Sequence, residues 1–410
     1  MKYIASLLIT LSFLFVSCVE EYTIPQKNRQ KHEARLVVEG KILAGTKSII
    51  YLSHTTPIGD FTKGEPIQNA NITIIGENGY TSTKAEFDIE NSRYTIPTYE
   101  LPDDTQYALK IELDGETYQS QFQPLLSTPE IEEVIWKEQS EGISLLVSTN
   151  GNQHGSRNYM WTYDEDWEIH AEMDFTKPLS VGQWWYNKMD YPIEGENPYL
   201  YCWMHNESSL IHIYNTNELT ENKVKDQEFL FIPIDDIRIS YIYSILVKQA
   251  CLSDEVYEYY RLMRLYTQES SGIFNPTPTE IEGNVKCISN PNLKINGVVM
   301  ASNITSKRIF IYASEFQNLT SEYSNCYPTM GVDVFTGIAK DDYGWRSAWL
   351  NEANSNGAFI YLQKSEAIKY HPSYTDLNQY SELYPATCMD CRKTKGSTKK
   401  RPDFWPNNHE

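Results

Sequence analysis

Seven cysteines, eight histidines and 55 carboxylates are the groups in this chain that could do chemistry. Cys18 stands alone near the N-terminus; Cys202, Cys251, Cys287, Cys326, Cys388 and Cys391 all fall from position 202 onward. An even number of thiols in an exported chain is the arithmetic of a disulfide framework. Six thiols allow fifteen pairings. The pairing expected here holds Cys388 and Cys391 to Cys326 and Cys287 and leaves Cys202 with Cys251. Cys388-x-x-Cys391 also has the spacing of half a zinc knuckle. No second pair at that spacing supplies the other ligands, and an oxidising compartment opposes thiolates, so no metal and no cofactor is expected. A redox-active Cys-x-x-Cys would need a βαβ setting, and none surrounds it.

The histidines are scattered. His170 and His205 are the nearest to a cluster, and neither belongs to an H-E-x-x-H or H-x-H pattern. There is no Gly-x-Ser-x-Gly elbow and no phosphate loop. Asp164-Glu165-Asp166, Asp235-Asp236 and Asp341-Asp342 are adjacent carboxylates, but a glycosidase pair is defined by a separation that sequence does not give. No catalytic residue is assigned, and the chain is read as not being an enzyme. The aromatic concentration is more suggestive: Trp161, Trp167, Trp184, Trp185, Tyr186, Tyr191, Tyr199, Tyr201 and Trp203 lie close together. Trp161 and Trp167 sit in a strand-like stretch and read as core. Trp184, Trp185 and Tyr186 lie in a loop-like stretch between Pro178 and Pro192, where rings either close a loop or stack on a sugar or a partner surface. They are the candidate ligand-binding residues.

The elements that must position these groups are mostly strands. The N-terminus comes first: Lys2 precedes an apolar stretch over residues 4–16, too short for a membrane helix of about 20 residues and suited to a secretory signal. It ends in Phe15-Val16-Ser17-Cys18, which resembles a bacterial lipobox whose Cys is diacylated; Phe15 departs from the usual Leu. Residues 1–17 are thus read as a lipoprotein signal peptide and Cys18 as the lipid anchor. The acidic pair Glu20-Glu21 in the tether over residues 18–33 resembles a surface-export signal of such lipoproteins. No later apolar run is long enough to span a bilayer.

From residue 34 the pattern turns to short β-branched strands with turns between them: 34–42, 48–52, 66–76, 81–88, 107–113 and 117–122. Asp114-Gly115 between the last two is a hairpin signal. Residues 34–128 are read as a small β-sandwich resembling the transthyretin or carboxypeptidase-regulatory type, Ig-like in outline. A Pro-containing joint follows, with a boundary near Pro129. Residues 129–391 are read as a larger β-rich domain with strands at 132–136, 143–148, 158–165, 210–214, 237–249 and 308–313. It has one principal helix, opened by Ser253 as N-cap with Asp254 and Glu255 in its first turn. The helix carries an apolar stripe at Val256, Tyr259, Tyr260, Met263 and Tyr266, and Ser270-Ser271-Gly272 stops it. Residues 392–410 form a tail with six cations between Arg392 and Arg401, then Pro402-Asp403-Phe404-Trp405-Pro406. The fold class expected is mainly β.

Lys plus Arg is 35 against 55 Asp plus Glu, a net charge of −20 over 410 residues. A surface this acidic repels phosphate backbones, so no nucleic acid is expected among the partners.

Several segments resemble one family. Residues 158–168 match a Tyr-x-Trp-x-Tyr-x-Glu-x-Trp pattern through Tyr159, Trp161, Tyr163, Glu165 and Trp167. Tyr243-Ser244-Ile245-Leu246-Val247-Lys248-Gln249 matches Tyr-Ser-x-x-Val-x-Gln, and Glu282-Gly283-Asn284-Val285 matches an x-Gly-Asn-Ile turn. Cys388-Met389-Asp390-Cys391-Arg392, Gly396 and Lys400-Arg401-Pro402-Asp403-Phe404-Trp405 match its ending, with one Gly where a Gly pair is common. The resemblance is to the Bacteroidetes lipoproteins of domain-of-unknown-function family 4249, and it covers nearly the whole mature chain. It implies an outer-membrane lipoprotein, facing the cell exterior, often encoded beside a TonB-dependent transporter, and implies no chemistry. The expected partners are therefore a membrane lipid anchor, a TonB-dependent outer-membrane transporter and a glycan or peptide ligand. The expected function is accessory, in ligand capture or envelope assembly. The alternative is a carbohydrate-binding or glycan-processing module using residues 182–187.

Overall fold

Leu36–Ala44 alternates buried and half-buried side chains, the period of a strand with one face on a core. The computed structural model describes residues 34–56, 64–153, 155–171, 199–208, 210, 212–267, 281–317, 359–364, 381–388 and 390–406. Over these the protein is mainly β. The first strands are β1 (Leu36–Ala44), β2 (Thr46–His54), β3 (Asn71–Gly76), β4 (Glu86–Asp88), β5 (Arg93–Thr98), β6 (Gln106–Leu113), β7 (Glu116–Ser120) and β8 (Gln123–Pro124). Next come β9 (Ile131–Gln139), β10 (Gly142–Asn150), β11 (Asn158–His170), β12 (Tyr201–Glu207), β13 (His212–Asn215), β14 (Lys223–Pro233) and β15 (Ile242–Leu252). Helix α1 (Asp254–Thr267) precedes β16 (Val285–Cys287), β17 (Asn296–Tyr312), β18 (Phe359–Lys364) and β19 (Ser381–Pro385).

One nine-stranded sheet runs β12-β11-β15-β17-β1-β2-β5-β4, with β13 on β11. Its halves are covered on one face by two smaller sheets. The β16-β7-β6-β3 sheet, with β8 on β6, encloses the first core around Val38, Ile50, Ile72, Ile96, Leu109 and Val299. The β14-β10-β9 sheet encloses the second around Ile143, Leu145, Trp161, Tyr243 and Val247. Two sandwiches therefore share one sheet, and β17 is the shared member. Its first half pairs with β1 in parallel, Val37 to Asn296 through Ala44 to Asn303. Its second half pairs antiparallel with β15, from Ala250 opposite Ile304 to Ile242 opposite Tyr312.

The first core takes residues 36–118 and the second begins at Ile131, but residues 285–301 return to complete the first. The joint is itself bonded. Thr128 N–H donates to Asn303 Oδ1 at 2.6 Å, and the Pro129 carbonyl accepts from Gln249 Nε2 and Thr305 Oγ1, each at 2.8 Å. Gly283 belongs to the same return: a Cβ there would stand 1.6 Å from the Gly297 carbonyl oxygen, so only glycine lets the two backbones approach. Asn284 then uses its side-chain amide as a strand would, accepting from Val299 N–H and donating to the Val299 carbonyl, both at 2.8 Å.

Local chemistry agrees with this layout. Asp114 and Gly115 both have positive φ, 50° and 84°, as a type I′ hairpin turn requires. Ser253 Oγ accepts from Val256 N–H, capping α1. The stripe Val256, Tyr259 and Tyr260 packs on the open face of the shared sheet against Leu43, Met160, Ala250, Val298 and Met300. Among the described residues no helix is long and apolar enough to cross a membrane.

Candidate functional site

Strand alternation decides where the carboxylates of β11 go. Tyr159, Trp161, Tyr163 and Trp167 enter the second core, and Glu165, at the same parity, goes in with them at 2% exposure. A buried charge must be paired and hydrogen-bonded. Glu165 Oε2 accepts from Tyr243 O–H at 2.8 Å and from Arg238 Nη1 at 2.9 Å, and Oε1 accepts from Asn206 Nδ2 at 2.7 Å. Burial, with the Glu165 carboxylate beside it, pushes the Tyr243 phenol well above its ordinary value, so it remains a donor. Trp161 Nε1 donates to Gln249 Oε1 at 2.8 Å. The family-pattern residues of β11 and β15 thus satisfy one another across the antiparallel register that sets Trp161 opposite Gln249 and Trp167 opposite Tyr243.

Asp164, Asp166 and Glu168 point to the other face. Asp164 pairs with Lys248 at 2.5 Å. Asp166 is bonded to His205 Nδ1 at 2.8 Å and to Arg308 Nη1 at 3.2 Å. Glu168 accepts from Trp405 Nε1 at 3.1 Å and lies 2.5 Å from His170 Nε2. Trp405 brings the tail onto this face, where Arg308 stands 3.6 Å over the Phe404 ring. Arg392 lies 3.3 Å over Tyr199 and pairs with Asp390 at 2.8 Å, and Lys399 donates to the Tyr201 carbonyl at 2.6 Å. Arg401 donates to the carbonyls of Trp405 and Pro406. Half of the six tail cations therefore hold the tail to itself or to the body.

His205 is 54% exposed, and its hydrogen bond to Asp166 raises the imidazole above its ordinary value. A raised pKa means that this pair's stabilisation is complete below the unfolded value of about 6.5 and is lost as pH rises through the folded one. The melting midpoint should fall more steeply above pH 6.5 in the wild type than in a His205→Gln variant. Thermal melts across that range check this, and parallel curves would show that the pair contributes nothing.

A second constellation lies on the open face beside α1. Glu39 and Lys41 flank Gly40 on β1, 3.1 Å apart, and Tyr260 O–H on α1 donates to Glu39 at 3.2 Å. Arg93 on β5 donates to Tyr51 O–H at 3.3 Å and to Glu207 on β12 at 3.0 Å. Strands β5 and β12 stand near opposite ends of the nine-stranded path, so the Arg93–Glu207 bond joins its two halves on the open face. Glu207 is the cross-strand neighbour of Asp164, which places the Asp164–Lys248 pair on the same face. Glu39 keeps 40% of its side-chain surface open. Lys41 holds the Glu39 carboxyl below its usual range, against burial. Burial opposes the charge on Lys41, but Glu39 outweighs it and holds the ammonium above its usual value.

Asp164 stood out only as one of a run of adjacent carboxylates, and the other charges of this cluster did not stand out in the sequence. The available signal was a pair of charges two apart, Glu39 and Lys41, inside the otherwise apolar LVVEGKILA strand.

The disulfide framework differs from the expected one. Cys202 bonds Cys391, and Cys251 and Cys287 are free and buried. Along β11, Cys202 lies opposite Ile169 and Cys251 opposite Tyr159. That is about 33 Å of strand, against a reach of about 7 Å for a disulfide. Cys287 belongs to the first core, while the tail sits on the second. Burial pushes the Cys251 thiol up to about 11. Cys388 is also disulfide-bonded. Among the described residues no group of three His, Cys, Asp or Glu could hold a metal. Cys18, Cys326, Trp184, Trp185, Tyr186, Asp341 and Asp342 lie outside the described residues.

The fold and these sites define a class: a β protein of two sandwiches on one shared sheet, with a disulfide-tied tail and a cluster of ion pairs beside the one long helix among the described residues. The chain belongs to the family described as a domain of unknown function (DUF4249), whose model matches residues 19–308. A comparison with curated proteins found no match. Among solved structures it is similar to a two fibronectin type-III domain segment from chicken tenascin, at 11% identity and a TM-score of 0.15. That match covers 53% of this chain and 91% of the other. A structure of manganese lipoxygenase of Gaeumannomyces graminis with part of zonadhesin of Komagataella pastoris matches at 11% identity and a TM-score of 0.16. It covers 54% of this chain and 89% of the other.

Proposed function

We propose that this chain is a non-catalytic lipoprotein of the bacterial outer membrane, anchored through Cys18 and facing the cell exterior. It works beside a TonB-dependent transporter in capturing a ligand. One observation carries the non-catalytic part: the residues of the family patterns are occupied in architecture. Tyr243 donates to Glu165 and Trp161 to Gln249 inside the second core, and Asn284 stitches the first. Trp405 ties the tail to Glu168. A family whose recurrent residues build the body leaves recognition to its surfaces and clefts, which fits an accessory role better than a shared reaction. The anchor reading rests on the signal-like residues 4–16, the lipobox-like Phe15-Val16-Ser17-Cys18 and the acidic pair behind it. Several buried acyl chains, at about 0.8 kcal/mol per methylene, hold a protein stably on a bilayer.

Cys18→Ser should release the protein from the sedimenting envelope fraction into the soluble one. A variant that sediments as before ends the anchor reading. Protease added to intact cells should digest the wild type, and survival of the protein would place it elsewhere. Affinity purification from outer membranes should bring down a β-barrel transporter; its absence from repeated preparations would remove the partner.

A further inference from the structure

We infer that the disulfide-tied turn over residues 391–400 is a docking surface for a short acidic segment of another polypeptide. Such docking goes beyond the accessory reading and requires neither the anchor nor the transporter. Residues 392–410 hold six cations and two carboxylates within a chain of net charge −20, so everything outside the tail is more acidic than the whole. Three of those cations are spent on the fold: Arg392 on Asp390 and the Tyr199 ring, Lys399 on the Tyr201 carbonyl, and Arg401 on the carbonyls of Trp405 and Pro406. The other three, Lys393, Lys395 and Lys400, are exposed, and among the described residues no carboxylate pairs with any of them. The carboxylates packed against the tail are engaged elsewhere. Asp390 has no exposed surface and holds Arg392 through Nε and Nη2. Glu168 accepts from Trp405 and pairs with His170, and Asp166 pairs with His205 and Arg308. Asp403 is the exposed carboxylate between residues 390 and 406. In a chain with 55 carboxylates to 35 cations, the turn is a local reversal of sign.

The turn is held in a fixed shape. Asp390 accepts from Arg392 N–H to open a 3₁₀ turn at Cys391–Lys393, and the Cys391 carbonyl accepts from Thr394 N–H and Ser397 Oγ. Gly396 takes the positive φ of 88° that the reversal needs. Thr398 then exchanges both backbone bonds with Trp203 on β12, each at 2.9 Å, and Cys391 is bonded to Cys202 on the same strand. Lysines on so braced a backbone lose little freedom on binding beyond that of their own side chains. The occupant follows from the range of the forces. Exposed charges are screened over about 10 Å at 0.1 M salt. An extended anionic surface, such as a bilayer, would bring its charge up to the acidic body as well as to the turn, and be repelled. A second copy would bring its own excess of negative charge. A short segment with a few carboxylates reaches the turn alone. Phe404, 44% exposed and four residues beyond Lys400, adds ring surface suited to a segment that mixes carboxylates with apolar side chains.

The test is fluorescence anisotropy of short labelled peptides titrated with the full chain. The probes are a peptide of alternating Glu and Leu and its counterpart of alternating Gln and Leu. The Glu peptide should bind saturably and more weakly as salt rises, with the Gln peptide at least tenfold weaker. The triple variant Lys393→Gln/Lys395→Gln/Lys400→Gln should lose about tenfold in affinity for the Glu peptide, the sum of three modest surface pairs. Its melting midpoint should match the wild type, since these side chains are exposed. A control variant, Lys84→Gln/Lys225→Gln/Lys286→Gln, makes the same change in net charge at exposed sites elsewhere and should keep the wild-type affinity. Four results would overturn the assignment. The first is no saturable binding of the Glu peptide at millimolar concentration and low salt. The second is equal binding of the Gln peptide, a comparison that needs no variant. The third is an equal loss in both triple variants, which would leave only the bulk charge. The fourth is cosedimentation of a full-length Cys18→Ser chain with phosphatidylglycerol vesicles that the three tail substitutions abolish, which would make a bilayer the occupant. None of these readouts needs the anchor or a transporter, so failure here is separable from failure of the reading above.

Discussion

Glu165→Ala should destabilise the protein by about 3 kcal/mol, the lower end of what removing one partner of a buried pair costs. The substitution deletes the acceptor for three donors at once: Arg238 Nη1, Tyr243 O–H and Asn206 Nδ2. Tyr243 has no exposed surface, so its hydroxyl cannot turn to water. Arg238 keeps Asp236 at 2.8 Å, which is why the loss stays at the lower end. Glu165→Gln retains acceptor capacity without the charge and should cost roughly half as much. Guanidinium unfolding midpoints at constant slope are the measurement. An alanine variant within about 0.5 kcal/mol of the wild type would mean that the pair is not a structural element.

The second large effect is at the tail. Replacing both Cys202 and Cys391 by Ser removes a cross-link with a sequence separation of 189. For a loop of that size the chain-entropy argument gives about 5 kcal/mol, an upper figure, because native domains usually lose about 2–4. Cys388 remains disulfide-bonded three residues away and continues to restrain the tail, which favours the smaller figure. The distinguishing result is local. With the bridge gone, the contacts that remain at this end include Trp405 Nε1 on Glu168, Phe404 under Arg308, Arg392 over Tyr199, Lys399 on the Tyr201 carbonyl and the backbone pairing of Thr398 with Trp203, all near the surface. Limited proteolysis should therefore cut between residues 392 and 406 well before the body. A variant whose tail is as resistant as the wild type's would show that these contacts, with the Cys388 disulfide, suffice without the bridge.

Much of the fold could be read in the residues, and the failures have physical causes. Alternation placed β1, β3, β6, β10 and the start of β11. Asp114-Gly115 and the Ser253 cap were legible because their chemistry is local. Strand β5 escaped because Pro97 and the charged Arg93 interrupt its alternation, and β14 because KVKDQEFLFIP alternates only weakly. The first half of β17 was missed for a related reason: Asn296-Gly297 looks like a turn, while Gly297 is small because Val38 and Val285 crowd it. With that half hidden, nothing in the sequence revealed that residues 37–44 and 296–303 pair, since parallel partners leave no local mark. The cluster of ion pairs on the open face went unseen for the same reason. Its charges come from β1, β5, β11, β12 and β15, and only the folded sheet brings them together. The alternating aromatics of 159–167 did announce a core, and it is the one they build.

The pairing of β1 with β17 has a consequence in time. One edge of β1 finds its neighbour only after residue 303 has been synthesised, and the bond closing the far edge waits for residue 391. Contacts so distant along the chain make for a slow search, so ordering of the nascent polypeptide is delayed rather than progressive. A polypeptide of this kind emerges with its first ninety or so residues still lacking their last strand, and it stays threadable until synthesis is almost finished. That is a useful property for anything that must pass through a narrow translocation channel before it matures.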